Sequence, residues 1–456
     1  MFGFAYSPHF GKGPSSEKTV IRGGFRLSYD EVFNNIPVNQ SLNAPFVLTT
    51  VQRTGLTQPS IGYGWNLAFD QNVPLVARTT QAPAAPAVGL ISFNAYDLNA
   101  RTAYGYSWNF GIQQQIASSS SIDISYVGSA GHRLGMFVDT NEPAVVVRDP
   151  GARGSQAPNE QFFPYPHWAA VSLGSFQGNS IYHGLVVSGK VRMRHSLTMN
   201  SSYTWSHAID NASSFFGADN DISQPADSRN LRAERGNSGN DQRHRFLNAF
   251  TLDLPVGQGR RFLASAHGVV EQILGGWSIS GITNLATGNP FTVYAANLST
   301  VDYSGFNSLY DRPDIIQSGS LKIDRGNPDN FFDPAYFGKL GNAFCPGSTI
   351  NRASGGCAPV GRVGSSPRNG YYGPGLISFD MGAGKVFTLH ETWKLQYRAD
   401  FFNLPNHPNF ALVTGNRSMN NGQFGQLSST SKFNGGDSSA NVGGPRVIQM
   451  TLRLMF

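Results

Sequence analysis

The chain has 456 residues, a net charge of +6, a sequence pI near 9.2 and a mean hydropathy of −0.25. Only 14% of its residues are charged, well below the roughly 25% usual in soluble domains, while aromatics reach 12% and glycines number 52. No run of roughly eighteen apolar residues occurs, which excludes ordinary transmembrane helices, and the basic residues are scattered singly, so no polybasic segment points to nucleic acid.

Alternation of apolar and polar residues is the strongest signal, because side chains along a strand point to opposite faces in turn. Strands are expected at about 1–8, 18–30, 103–117, 120–134, 180–193, 196–209, 242–255, 275–290, 375–389, 392–403 and 446–456. Met1–Tyr6 already reads as a strand, with no basic and apolar leader ahead of it. In the next, Ile21, Phe25, Leu27 and Tyr29 oppose Arg22, Arg26 and Ser28; its Arg22-Gly23-Gly24-Phe25 resembles an RNA-binding fragment but lies inside the alternation. Tyr104, Tyr106, Trp108, Phe110, Ile112 and Ile116 form one face of a third, against Gly105, Ser107, Asn109, Gly111, Gln113 and Gln115. Leu197, Met199, Tyr203 and Trp205 repeat the pattern, as do Trp393, Leu395, Tyr397, Ala399 and Phe401. At the end, Ile448, Met450, Leu452, Leu454 and Phe456 share one face, with Gln449, Thr451 and Arg453 on the other.

The connections have their own rhythm. Turns near 8–18, 117–120, 193–196, 255–275 and 389–392 are short or moderate. Those near 30–103, 134–180, 209–242, 290–375 and 403–446 are long and rich in Gly, Asn, Ser and Pro. Short turns on one side and long loops on the other are the habit of bacterial membrane barrels, with the long loops outside the cell. In a compact soluble fold, long loops without structure would argue against the strands themselves. The fold class expected is therefore all-β: an antiparallel transmembrane β-barrel of about eleven strands with long extracellular loops. A terminal aromatic at Phe456, closing an alternating strand, resembles the C-terminal signal read by barrel-assembly machinery. Trp205, Trp277, Trp393 and Tyr104 suit the headgroup zone. Arg22, Arg26, Lys190, Arg398 and Arg453 face the interior, where neighbours such as Asp253 and Asp400 balance their charge.

Sites for chemistry are few. Cys345 and Cys357 share one long loop without nearby histidines, which favours a disulfide in an oxidising compartment over metal binding. Asp311-Arg312-Pro313-Asp314 and Asp219-Asn220-Asp221 are oxygen-rich but lack the spacing of a calcium-binding helix–loop–helix. His390-Glu391 falls in a tight turn, and His244 and His407 lie at strand ends, where packing is the expected role. No nucleophile elbow, zinc-binding His-Glu-x-x-His or phosphate loop occurs. No catalytic residue, metal or cofactor is assigned, and the chain is read as not an enzyme.

Several stretches resemble one family, the Oar-like TonB-dependent receptors. They are Phe2–Pro8, Thr19–Phe25, Tyr203–Ser206, Asp241–Phe246, Leu274–Gly281, Thr287–Phe291 and Arg398–Phe410, in that order and ending at Phe456. The resemblance implies a 22-stranded outer-membrane barrel around an N-terminal plug, energised through TonB. Residues 1–456 would then be the C-terminal portion of such a barrel, since no signal peptide, TonB box or plug is visible in them. An odd number of strands gives the same expectation. The expected function is TonB-coupled uptake or binding of a large extracellular ligand. The expected partners are outer-membrane lipid, the assembly machinery and, through a further N-terminal part, the TonB complex; nucleic acid is not among them. The alternative is a secreted or surface-attached β-rich adhesin without transport activity. A further variant has two copies of eleven strands closing one barrel.

Overall fold

A computed structural model describes residues 1–8, 18–30, 91–142, 164–165, 168–193, 196–215, 224–295, 311–338, 362–389, 393–412, 415–419, 421–430 and 444–456. Its frame is one antiparallel meander. The strands are β1 (Phe2–Tyr6), β2 (Thr19–Tyr29), β3 (Tyr104–Ala117), β4 (Ser120–Asp139), β5 (Trp168–Arg192), β6 (Leu197–Asp210), β7 (His244–Asp253), β8 (Trp277–Ala286), β9 (Leu376–Thr388), β10 (Lys394–Phe402) and β11 (Val447–Met455). Each pairs with its neighbours in chain order. Every expected strand is present, and the short and long connections alternate between the two ends of the sheet as expected. Among the described residues, β1 pairs only with β2 and β11 only with β10.

Register separates the two faces. Tyr6, Ile21, Ile112, Ile124, Val187, Tyr203, Phe246, Leu285 and Ile377 are paired in succession, giving one apolar row across β1 to β9. A row on the opposite face runs Gln113, Asp123, Ser188, Ser202, Leu247, Asn284 and Ser378, with Leu247 its single apolar member. The apolar face is uncovered: Ile448, Met450 and Leu452 are 50%, 67% and 66% exposed. A water-soluble sheet would bury these residues, because leaving each in water forgoes about 1.5–3 kcal/mol. Among the described residues, a buried apolar cluster is instead built from the long loops: Phe291, Val293, Phe331, Phe332, Tyr336, Phe337, Tyr371 and Leu427.

Several expectations need correction. Strands β4 and β5 were expected to stop at 134 and start at 180, but they run on to Asp139 and back to Trp168. Register shifts at His132/Leu134 and Leu134/Met136, with Arg133 at φ 56°, change which side chains share a face and hide the period-two pattern. A short strand at Ile91–Tyr96, expected as loop, pairs in parallel with the start of β5. The long loops also carry two-residue ladders, Pro290–Phe291 with Tyr371–Tyr372, Asp314–Ile315 with Phe337–Gly338 and Phe410–Ala411 with Ser429–Thr430. The turn between β7 and β8 contains a helix, α1 (Val269–Leu274).

Candidate binding platform and barrel wall

The β4–β5 hairpin sets the height of the platform. At ~3.3 Å per residue, the 25 residues of β5 extend roughly 80 Å. Tilted by ~45°, that is still more than twice the ~25 Å apolar band of a membrane barrel. The projecting part has its own packing, with Met136 and Val138 buried and the Phe137 and Phe215 rings 4.3 Å apart.

The loop cluster packs by ring edges as well as by area. Phe332 lies 5.7 Å from Phe291, 6.0 Å from Phe337 and 5.2 Å from Phe424, the last two edge to face. Buried ion pairs then tie the loops to the strand ends. Arg368 donates to Asp210 at the tip of β6 at 2.9 Å, and also to the Glu234 carbonyl and the Ser213 hydroxyl. Arg312 pairs with Glu234 at 2.7 Å, both side chains almost wholly buried. Asp241 accepts from the Ala208 amide and from the Tyr372 hydroxyl, and Arg243 lies 3.0 Å from it. Burial pushes the Tyr372 phenol above its ordinary value.

The stretch Asn403–Asn409 is a second fastening, across β9, β10 and β11. Asn403 and Asn406 adopt left-handed backbone conformations (φ 50° and 53°), which asparagine tolerates better than most residues. Asn403 donates to the His407 and Gly444 carbonyls; Asn406 accepts from the Arg446 amide. Asn409 both donates to the Ile377 carbonyl and accepts from its amide. These amides substitute for ladder bonds where the strands end.

The wall itself is polar on one side and apolar on the other, where tyrosine and histidine rings pair across strands. On the polar face Arg22 pairs with Asp123, and Arg398 with Asp400 at 2.8 Å. The partner of Arg22 is thus Asp123, which sequence reasoning did not choose. On the apolar face Tyr126 bonds His183 at 2.7 Å and Tyr203 bonds His244 at 2.8 Å. An aromatic ring with one polar edge suits a boundary between hydrocarbon and headgroups.

The sites singled out in the sequence fall as follows. Ile448, Met450, Leu452 and Leu454 of β11 pair with Phe401, Ala399, Tyr397 and Leu395 of β10 on the apolar face. Phe456 follows, its ring 5.9 Å from Trp393. Asp314 is engaged by Arg362 through two bonds of 2.7 and 2.8 Å, which hold its carboxyl below the usual range. Cys345, Cys357, Asp219-Asn220-Asp221 and His390-Glu391 lie outside the described residues. The pairs Arg368–Asp210 and Arg312–Glu234 were missed. Their partners stand 158 and 78 positions apart, so no local pattern announces them. Asp241 and Arg243 carried a signal, a charge cluster at the start of a strand, but not a role.

An antiparallel meander with an uncovered apolar face, a polar face behind it and its long connections all leaving one end has the make-up of a membrane β-barrel wall. The chain belongs to the family described as the outer membrane beta barrel domain, whose pattern matches residues 2–449. Its place is the outer membrane. Among solved structures it is similar to the crystal structure of the outer membrane transporter YddB from Escherichia coli, at 9% identity and a TM-score of 0.41. The match covers 96% of this chain and 38% of that one, so the chain spans well under half the length of that transporter. No curated protein matches the sequence.

Proposed function

We propose that these residues form the wall and the extracellular platform of an outer-membrane receptor or transporter for a large ligand, of the Oar-like TonB-coupled kind. The observation that carries this reading is the built platform. Loops that only connected strands would need neither an aromatic core nor buried ion pairs, and preorganised loops lose less conformational entropy when they bind. In this reading the polar face lines the interior, and the platform over it makes first contact with the ligand. In this reading the uptake step is energised through TonB. Ile448, Met450, Leu452, Leu454 and Phe456 are the strand offered to the assembly machinery. In the same reading Cys345 and Cys357 would be joined as a disulfide, the pairing expected of two cysteines in one loop of an oxidising compartment. The chain carries no catalytic role and no cofactor.

Orientation is the first test. Ile316 stands exposed among the long loops, and Ser119 in the short turn between β3 and β4. With a membrane-impermeant maleimide on intact cells, Ile316→Cys should label and Ser119→Cys should label only after disruption. Equal labelling of both in intact cells, or the reverse order, would refute the receptor reading.

A further inference from the structure

The connection between β7 and β8, residues 254–276, is at the short-turn end yet unlike a simple turn. It is folded by its own backbone: the Gly257 amide donates to the Phe262 carbonyl, the Phe262 amide to the Pro255 carbonyl, and the Gly259 amide to the Ala264 carbonyl. Two side chains from the sheet then hold α1 in place. Lys385 belongs to the apolar face, in the row Trp277, Lys385, Tyr397 and Leu452. Lys385 is 5% exposed, and its ammonium donates to the carbonyls of Glu271 and Gly275 in the last turn of α1. The Trp277 indole, in the same row, donates to the Ile273 carbonyl at 2.8 Å. The helix is therefore seated on the apolar side of the sheet, not under its polar side.

Of the five exposed residues of α1 four are apolar, Gln272 being the polar one. Val269, Val270, Ile273 and Leu274 repeat at four-residue spacing and are all exposed, Ile273 at 59%. Glu271 faces inward, its carboxylate accepting from the Gln258 amide. Phe262 and Leu263 add two more exposed apolar side chains beside exposed Arg260 and Arg261, and the Arg261 guanidinium lies 5.6 Å from the Phe262 ring centroid. The turn at 117–120 shows the contrast, being only alanine and serines. Exposed apolar residues with basic neighbours, seated against a lipid-facing wall, match the chemistry of a segment lying in the headgroup layer.

We infer that residues 254–276 are a membrane-surface anchor that takes acidic phospholipid of the periplasmic leaflet, with Val269, Val270, Ile273, Leu274 and Phe262 among the acyl chains and Arg260 and Arg261 at the phosphates. The inference rests on the barrel reading above. Continuity selects lipid over a protein partner: the seat of the helix is the same row that ends in Tyr397 and Leu452. The lysine at 385 fits this picture. A cation in a lipid-facing row is costly unless satisfied, and the carbonyls at the end of α1 satisfy it.

The test uses the full chain in bilayer nanodiscs of phosphatidylethanolamine and phosphatidylglycerol, in a C345S/C357S background. Nitroxide labels are placed singly at Met450→Cys on β11, Ile273→Cys on α1 and Ser119→Cys in the polar turn. Their collision rates with oxygen and with a water-soluble nickel chelate are compared. The expected result is oxygen preference at Met450 and Ile273 and nickel preference at Ser119, with the Ile273 preference lost in the R260E/R261E variant. Nickel preference at Met450 would overturn the barrel reading and this inference with it. Oxygen preference at Met450 with nickel preference at Ile273 would overturn this inference alone. An Ile273 preference unchanged by R260E/R261E would overturn the assignment to acidic lipid.

Discussion

Removing Arg368 should loosen the platform while leaving the wall intact. Its guanidinium bonds Asp210 at 2.9 Å, the Asp210 carbonyl at 3.2 Å, the Glu234 carbonyl at 3.0 Å and the Ser213 hydroxyl at 2.9 Å. The two charged side chains are 3% and 4% exposed. Truncation by Arg368→Ala leaves the Asp210 carboxylate buried without its cation, which costs about 3–5 kcal/mol in such settings. At ~1.4 kcal/mol per factor of ten, the loops held by this pair should open on the order of a hundred- to several thousandfold more often. Hydrogen exchange of the reconstituted protein reads this directly, because local opening is reported amide by amide. The amides of Ser238, Thr292 and Asn369 should speed up; those in the middle of β6 should not. The double variant Arg368→Met with Asp210→Leu should recover much of the loss, since a buried pair replaced on both sides is often neutral. A change below roughly threefold in R368A, or a double variant worse than the sum of its parts, would refute the claim that this pair fastens the loops.

Two further expectations follow from the faces and from burial. Met450→Arg places a charge on the apolar face and should cost about 2–4 kcal/mol near the membrane midplane, whereas Thr451→Arg on the polar face should cost much less; urea unfolding in lipid, with equal losses for both, would count against the assignment of faces. Glu142, beyond the end of β4, is raised from 4.5 to about 7, chiefly by burial, against the opposing bonds from Ser228. Its folded form holds a proton that the unfolded form releases, so its contribution is fully present below pH 4.5 and is lost as pH rises through 7. The Ser228 amide, which donates to both carboxylate oxygens at 2.8 and 3.0 Å, should accordingly exchange more readily relative to strand amides as pH climbs through that window. Glu142→Gln should abolish the dependence; an unchanged profile in that variant would show that another group governs it.

The strands and their two faces were legible in the sequence because the signal is local. A pleated strand between hydrocarbon and water forces alternation on every second residue, and Tyr104–Ala117 or Val447–Met455 displays it without reference to anything distant. Loop lengths added direction for the same reason, since they can be counted along the chain. The extension of β4 and β5 was not legible, because a residue at positive φ and two register shifts erase the period just where the hairpin leaves the sheet's common register. Helix α1 has six residues, too few for a helical period to show against its surroundings. The platform escaped for a deeper reason. Its ion pairs and aromatic cluster join Asp210 to Arg368, Glu234 to Arg312 and Phe291 to Phe332 across distant loops, and only the closure of those loops brings the partners within the few ångströms at which charge and ring contacts act. The medium around each strand can be read residue by residue from the chain; the contacts between loops exist only once the tertiary structure has chosen them.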